Sequence, residues 1–160
     1  MSVTPRILHI LDHSVPLHSG YSFRTLALLN EQRRRGWQTY QLSSSKHYVA
    51  KQEVEESEGF RFYRTRESDS RLARLPVINQ LAVIRDTRRR LDEVIALEQP
   101  NLLHAHSPCL NGIAAIQAAR KHGLPVVYEM RASWEDAAVD HGTTTEGSLR
   151  YRMSRWLETW

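Results

Sequence analysis

Short apolar runs alternate with helix-forming segments along most of this chain, and that alternation limits the fold more than any other property. Residues 6–12 (R-I-L-H-I-L-D), 39–42, 60–65, 102–106 (L-L-H-A-H) and 124–130 (L-P-V-V-Y-E-M) have the length and apolar content of buried strands. Between them the periodicity is helical. Ser22 can cap a first helix with Phe23, Leu26, Ala27 and Leu29 on its apolar face, and Gly36 is placed to end it. Pro76 opens a long helix with a stripe of Val77, Leu81, Ile84, Leu91 and Ile95, stopped near Gln99 by Pro100. Residues 111–122 form a third helix rich in small residues (Gly112, Ala114, Ala115, Ala118, Ala119), closed by Gly123. Strands that alternate with helices pair in parallel and need cover on both faces. Right-handed crossovers then predict an α/β, Rossmann-like, doubly wound sheet with strand order 3-2-1-4-5. Residues 43–59 are polar, with glutamates at 53, 55, 56 and 58, and read as a long loop.

The 160 residues are 41% hydrophobic, enough for the core of one ordinary domain. A single cysteine, Cys109, excludes a disulfide framework and a four-cysteine zinc site within one chain, and fits a reducing, cytoplasmic setting. No signal peptide is expected, and no apolar stretch of these residues is long enough to span a bilayer. The net charge of +4 is carried mostly by arginine, which suits phosphate through bidentate hydrogen bonds. Nucleic acid is not expected as a partner, because stacking aromatics and a recognition-helix motif are both lacking. Residues 148–160 read as a helix without a stop signal. The expected organisation is therefore a Rossmann-like domain over 1–147 and the start of a truncated helix over 148–160.

In an open parallel sheet, ligands bind outside the carboxyl ends of the strands. Those ends fall at residues 12–21, 106–111 and 130–136, and the three loops are dense in polar side chains: Asp12, His13, His18, Ser19, His106, Ser107, Asn111, Arg131, Trp134, Glu135 and Asp136. Neither G-x-G-x-x-G nor a P-loop is present. Gly20 can let the backbone approach a phosphate at a helix amino terminus, or it is an ordinary turn glycine. His106, at a strand end, can hold a substrate hydroxyl or take its proton. His104 shares its strand face but reads as an inner residue satisfied by hydrogen bonds. No third histidine or carboxylate follows these two in metal spacing, so no metal site is expected. Arg131 can hold an anion, Trp134 can stack on a sugar face, and Glu135 with Asp136 can act in acid/base work or cap a helix.

The run I-L-H-I-L-D-H-S-V-P-L-H-S-G-Y-S-F-R-T (7–25) resembles the first strand, glycine loop and first helix of family 4 glycosyltransferases. L-L-H-A-H-S-P-C-L-N-G-I-A-A-I (102–116) resembles their strand-and-helix segment with a histidine at the strand end. Residues 126–152 (V-V-Y-E-M-R-A-S-W-E-D-A-A-V-D-H-G-T-T-T-E-G-S-L-R-Y-R) are similar to a narrower subgroup associated with exosortase and exopolysaccharide loci. The resemblance implies one half of a GT-B fold, the amino-terminal, acceptor-side domain. It also implies a hexosyltransferase-type activity that retains anomeric configuration, moving sugar from a nucleotide-sugar donor to a glycan or lipid-linked acceptor.

On that resemblance Ser19 and Gly20 approach the donor diphosphate, and His106 contacts the acceptor or the transferred sugar. His13, His18, Asn111, Arg131, Trp134 and Glu135 are acceptor-binding candidates. No cofactor is implied and no metal is needed, because the leaving diphosphate assists attack. The family's phosphate-clamping residues and E-x7-E carboxylates belong to a carboxyl-terminal domain with no copy here, so the chain alone is expected to be inactive. Arg71, Arg74, Arg85, Arg88, Arg89 and Arg90 offer a peripheral contact with an anionic membrane surface. The rival is a non-catalytic Rossmann-like nucleotide-binding or regulatory module.

Overall fold

A computed structural model describes residues 4–67 and 76–131. Trp134, Glu135, Asp136, Arg71, Arg74 and the expected helix over 148–160 lie outside the described residues.

The elements in chain order are β1 (Arg6–Leu11), α1 (Gly20–Arg34), β2 (Gln38–Ser43), β3 (Val54–Ser57), β4 (Phe60–Arg64), α2 (Pro76–Glu98), β5 (Leu102–His106), α3 (Cys109–His122) and β6 (Val126–Glu129). The sheet order is β3-β4-β2-β1-β5-β6. All pairings are parallel except β3 with β4. Without β3, this is the expected 3-2-1-4-5 winding.

Side chains alternate across each strand, so each face of the sheet gathers its own core. Leu8, Ile10, Leu42, Leu103 and Ala105 pack against Leu91, Val94 and Ile95 of α2 and Ala114, Ala115, Ala118 and Ala119 of α3. On the opposite face Leu11, Phe60 and Phe62 pack against Leu29 of α1. The small residues of α3 let it lie close to the sheet. A Cβ at Gly112 would stand 3.0 Å from Tyr128 Cδ2, tighter than ordinary contact. Gly123 closes α3 in the left-handed region (φ 66°), where a side chain is disfavoured.

Three expectations need correction. The segment 43–59 is not all loop: β3 pairs antiparallel with β4 across a turn with positive φ at Glu58 (52°) and Gly59 (73°). Two consecutive positive φ values build a hairpin turn, but Glu-Gly is a weaker signal than Asn-Gly or Asp-Gly, and an edge strand of glutamates reads as coil. The cap of α1 is Ser19, whose Oγ accepts the Ser22 N–H (3.1 Å), so the helix starts before Ser22. Leu81 is 60% exposed and Val83 is buried in its place. Ile84, Leu91 and Ile95 of the expected stripe do pack in the core, and Val83, Thr87 and Val94 complete the buried face at helical spacing.

Candidate functional site

The histidine in the middle of β1 sets the site up. His9 lies opposite His104 in the β1–β5 register, and His106 lies opposite Glu129 in the β5–β6 register. Since His104 and His106 are two apart, all three imidazoles share the sheet face that α1 covers. The His104 and His106 ring centroids are 4.1 Å apart, and His9 lies 5.0 and 5.2 Å from them. His9 and His106 are fully buried. His9 Nε2 is 2.9 Å from Gln32 Oε1 of α1, and His9 Nδ1 is 2.9 Å from His106 Nε2. Burial, followed by the neighbouring His106 and His104 rings, holds His9 well below the ordinary imidazole pKa. Burial pushes His106 down to about 4 and lowers His104 as well. These are neutral rings at neutral pH.

Glu129 is the hub beside them. Its Oε1 is held by Arg24 of α1 (2.7 Å) and by Arg131 (3.4 Å). Its Oε2 faces His106 Nδ1 (2.9 Å) and His104 Nε2 (3.3 Å). The His106 ring, with Arg131 and Arg24, draws the carboxyl pKa down to about 2, so Glu129 is an anion. Arg131 reaches back across the edge. Its Nη1 donates to Thr25 Oγ1 (2.7 Å) and Tyr21 O (3.2 Å), its guanidinium lies over the Tyr21 ring, and its backbone N–H donates to Ser107 Oγ. One network thus ties the first turn of α1 to the ends of β5 and β6.

The loop between β1 and α1 is held from beneath. Arg64, 1% exposed, donates to Ser14 Oγ, Ser43 Oγ, Val15 O and Glu55 Oε2. Further along, His13 lies 3.2 Å from Asp12 Oδ2 and 2.9 Å from Ser19 Oγ, and stacks on Tyr21 at 4.6 Å. His18 is exposed and stacks on Phe23. Gly20 is exposed at the first position of α1, and a Cβ there would meet no atom within 4 Å. With no acidic residue in its first turn, α1 presents the positive end of its dipole at the carboxyl edge of the sheet.

The expected site residues therefore divide. His13, His18, Ser19 and Gly20 stand at the rim. His106 lies beneath it, with both ring nitrogens turned toward protein partners. Asn111 is buried, and its Nδ2 donates to His106 O (2.8 Å), so its amide steadies the strand end. Arg131 has a side chain only 4% exposed and acts as a clamp. His9, Gln32 and Glu129 were not among the expected site residues. The one sequence signal for His9 is an imidazole inside an otherwise apolar strand. The third histidine and the carboxylate that residue spacing did not supply come from neighbouring strands, and one nitrogen from each of His9, His104 and His106 lies within 4.8 Å of the others.

The family profile described as "Glycosyl transferase 4-like domain" matches residues 19–160. Comparison with curated protein sequences gives no match. Among solved structures, sucrose-phosphate synthase from Thermosynechococcus elongatus is similar with a TM-score of 0.65 and 15% identity, over 96% of this chain and 39% of that one. Os79 from O. sativa, solved with UDP, is similar with a TM-score of 0.56 and 16% identity, over 86% of this chain and 32% of that one. The carboxyl-terminal domain of PF1911 hydrogenase from Pyrococcus furiosus gives 0.52 and 12%, over 81% and 94%. At such identities these likenesses establish the fold, which serves unrelated chemistries. The chain spans well under half the length of the first two.

Proposed function

Since this chain belongs to the glycosyl transferase 4-like family, we propose that it is the acceptor-side half of a GT-B enzyme that transfers a sugar from a nucleotide-sugar donor to a glycan or lipid-linked acceptor. The observation that carries this reading is Gly20. Nothing inside the described domain requires a glycine there, because a Cβ would meet open space and the helix would gain from one. A donor diphosphate approaching the amino terminus of α1 supplies the missing reason: the bare backbone and the helix dipole face its charge.

The rest of the rim fits the same task. Asp12 orients His13 toward Ser19, beside the capped helix start. His13 and His18 are the side chains we assign to the acceptor. His106 holds Glu129 and the rim from below, and it touches sugar only if its Nε2 leaves His9. Transfer is proposed to retain anomeric configuration, with the departing diphosphate assisting attack and without a metal. The donor-binding half and its phosphate clamp lie outside these residues, so half of the charge stabilisation in the transition state is missing and the 160 residues alone do not transfer. An exopolysaccharide-type acceptor is the narrower proposal, carried by the subgroup resemblance of residues 126–152.

A peripheral membrane contact rests on α2. Arg85, Arg88 and Arg90 are paired with Asp86, Asp92 and Glu93, and Arg85 and Arg89 are exposed. Among the described residues, no helix is long and apolar enough to cross a membrane. Co-sedimentation with anionic but not neutral liposomes supports the contact; equal binding to both discards it.

The deciding test is a panel of labelled nucleotide sugars offered to the full-length protein and to the 160-residue chain. Sugar transfer by the full-length protein, and none by the chain alone, supports the proposal. Absence of transfer with every donor, together with tight nucleotide binding by the isolated chain, favours the non-catalytic module.

A further inference from the structure

The contact between His9 and His106 has a proton problem. His9 Nε2 faces an amide oxygen, Gln32 Oε1, so the ring proton of neutral His9 belongs on Nε2. His106 Nδ1 lies 2.9 Å from the Glu129 carboxylate, off the line of a good hydrogen bond, and the adjacent anion favours the proton of neutral His106 on Nδ1. The two remaining nitrogens, His9 Nδ1 and His106 Nε2, then aim lone pairs at each other across 2.9 Å. Two ring nitrogens at that distance are joined either by one ring proton, with the Gln32 amide turned to donate to His9, or by a cation. A third imidazole, His104, brings a ring nitrogen within 4.8 Å of both.

We propose that His9, His104 and His106 form a binding site for one transition-metal ion of the zinc class, with Glu129 and Gln32 as its outer partners. Three neutral imidazoles suit zinc, cobalt(II) or nickel(II) rather than magnesium or calcium, which prefer oxygen. The surroundings follow the pattern of metal-ligating histidines, whose second nitrogen points at a carbonyl or carboxylate that fixes the tautomer. Here Gln32 does so for His9 and Glu129 for His106. Arg24 and Arg131 hold Glu129 Oε1 and leave Oε2 turned toward the rings. Tetrahedral ligation with bonds of about 2.0 Å sets ligand nitrogens about 3.3 Å apart, so the His9–His106 pair opens slightly while the more distant His104 closes in. His104, 16% exposed, gives the ion its way in. The ion would tie the ends of β1 and β5 together beneath the rim. This inference goes beyond the glycosyltransferase proposal and does not rest on it, because the transfer scheme takes nothing from the ion.

The test uses the 160-residue chain, stripped with chelator and titrated at neutral pH with Zn2+, Co2+ and Mg2+. We expect one equivalent of Zn2+ to bind and raise the thermal midpoint, Co2+ to give the visible absorption of a tetrahedral site, and Mg2+ to do neither. His104→Gln is the least buried ligand change and should weaken Zn2+ at least as much as the loss of an outer partner does, about 10- to 100-fold. His122→Gln, at a surface histidine paired with Asp92, should change nothing. Ring resonances keep the question open to an answer if His104→Gln fails to fold. Of the eight histidines, those at 9, 104 and 106 should shift with Zn2+ in the wild-type chain. No Zn2+ binding, binding indifferent to His104→Gln in a folded variant, or shifts confined to the other histidines would overturn the site.

Discussion

Glu129 divides its two oxygens between opposite tasks: Oε1 receives Arg24 from α1, while Oε2 lies 2.9 Å from His106 Nδ1 on the neighbouring strand. Through that carboxylate the first helix is tied to the edge of the sheet. Replacing it tests the tie. Glu129→Gln keeps the shape but strips the charge, leaving the Arg131 side chain, itself only 4% exposed, without its anion. We expect a loss of about 1–3 kcal/mol in urea unfolding, and a double-mutant cycle with Arg24→Ala that recovers part of it. A change within experimental error would mean that the network is decorative.

Arg64 makes the corresponding tie on the other side of the β1–α1 loop. Its fork reaches two hydroxyls, a carbonyl and a carboxylate from a fully buried position, which a lysine ammonium cannot match. Arg64→Lys should cost about 1.5–3 kcal/mol, the size of a charged hydrogen bond left unmade. The loss should be visible as a lower urea midpoint at unchanged slope.

The pH dependence of stability should show a buried histidine at position 47. Burial, then the nearby Arg64 charge, lowers the His47 pKa to about 4, against about 6.5 for an unfolded histidine. Between those values the unfolded chain binds the extra proton, so acid favours unfolding. Stability is untouched above about pH 6.5, falls as pH drops through the window, and takes no further loss from this group below about 4. His47→Gln should remove one histidine's share of that slope, the lowered His9, His104 and His106 keeping the rest. An unchanged slope between pH 6.5 and 4 in the variant would show that other groups carry the effect.

Position 20 separates stability from function. Gly20→Ala meets no steric obstacle and adds helix propensity, so the variant should be as stable as the parent or more so, by up to about 1 kcal/mol. Calorimetry on the isolated chain reads this directly. A clear loss of stability would mean that Gly20 serves the fold after all.

The order of the five parallel strands was legible because apolar runs alternate with helices over most of the chain, the stretch from β2 to β4, which holds no helix, being the exception. What escaped was local chemistry with a weak signature. The β3 strand (V-E-E-S) carries two glutamates on an edge, where charge protects against pairing with strangers and disguises the strand. Ser19 and Ser22 are both competent caps, and only the backbone entering α1 decides between them. The rim residues His13, Ser19 and Gly20 were legible because strand ends in a wound sheet point one way. His9 was not, because its role comes from register across β1 and β5, which a single sequence does not contain. Asn111 and Arg131 were read as acceptor candidates; in the structure Asn111 Nδ2 donates to His106 O, and Arg131 reaches Glu129, Thr25 Oγ1 and Tyr21 O. A short polar side chain beside a strand end looks the same in both roles until its partners are known.

The most direct test is the rate of sugar transfer from a nucleotide-sugar donor by the full-length protein, wild type against Gly20→Ala, at matched stability. If the open start of α1 receives the donor diphosphate, the methyl group should lower kcat/KM by about 100-fold, the scale of a displaced charge-stabilising contact. Equal rates for the two proteins, or transfer by the 160-residue chain on its own, would contradict it.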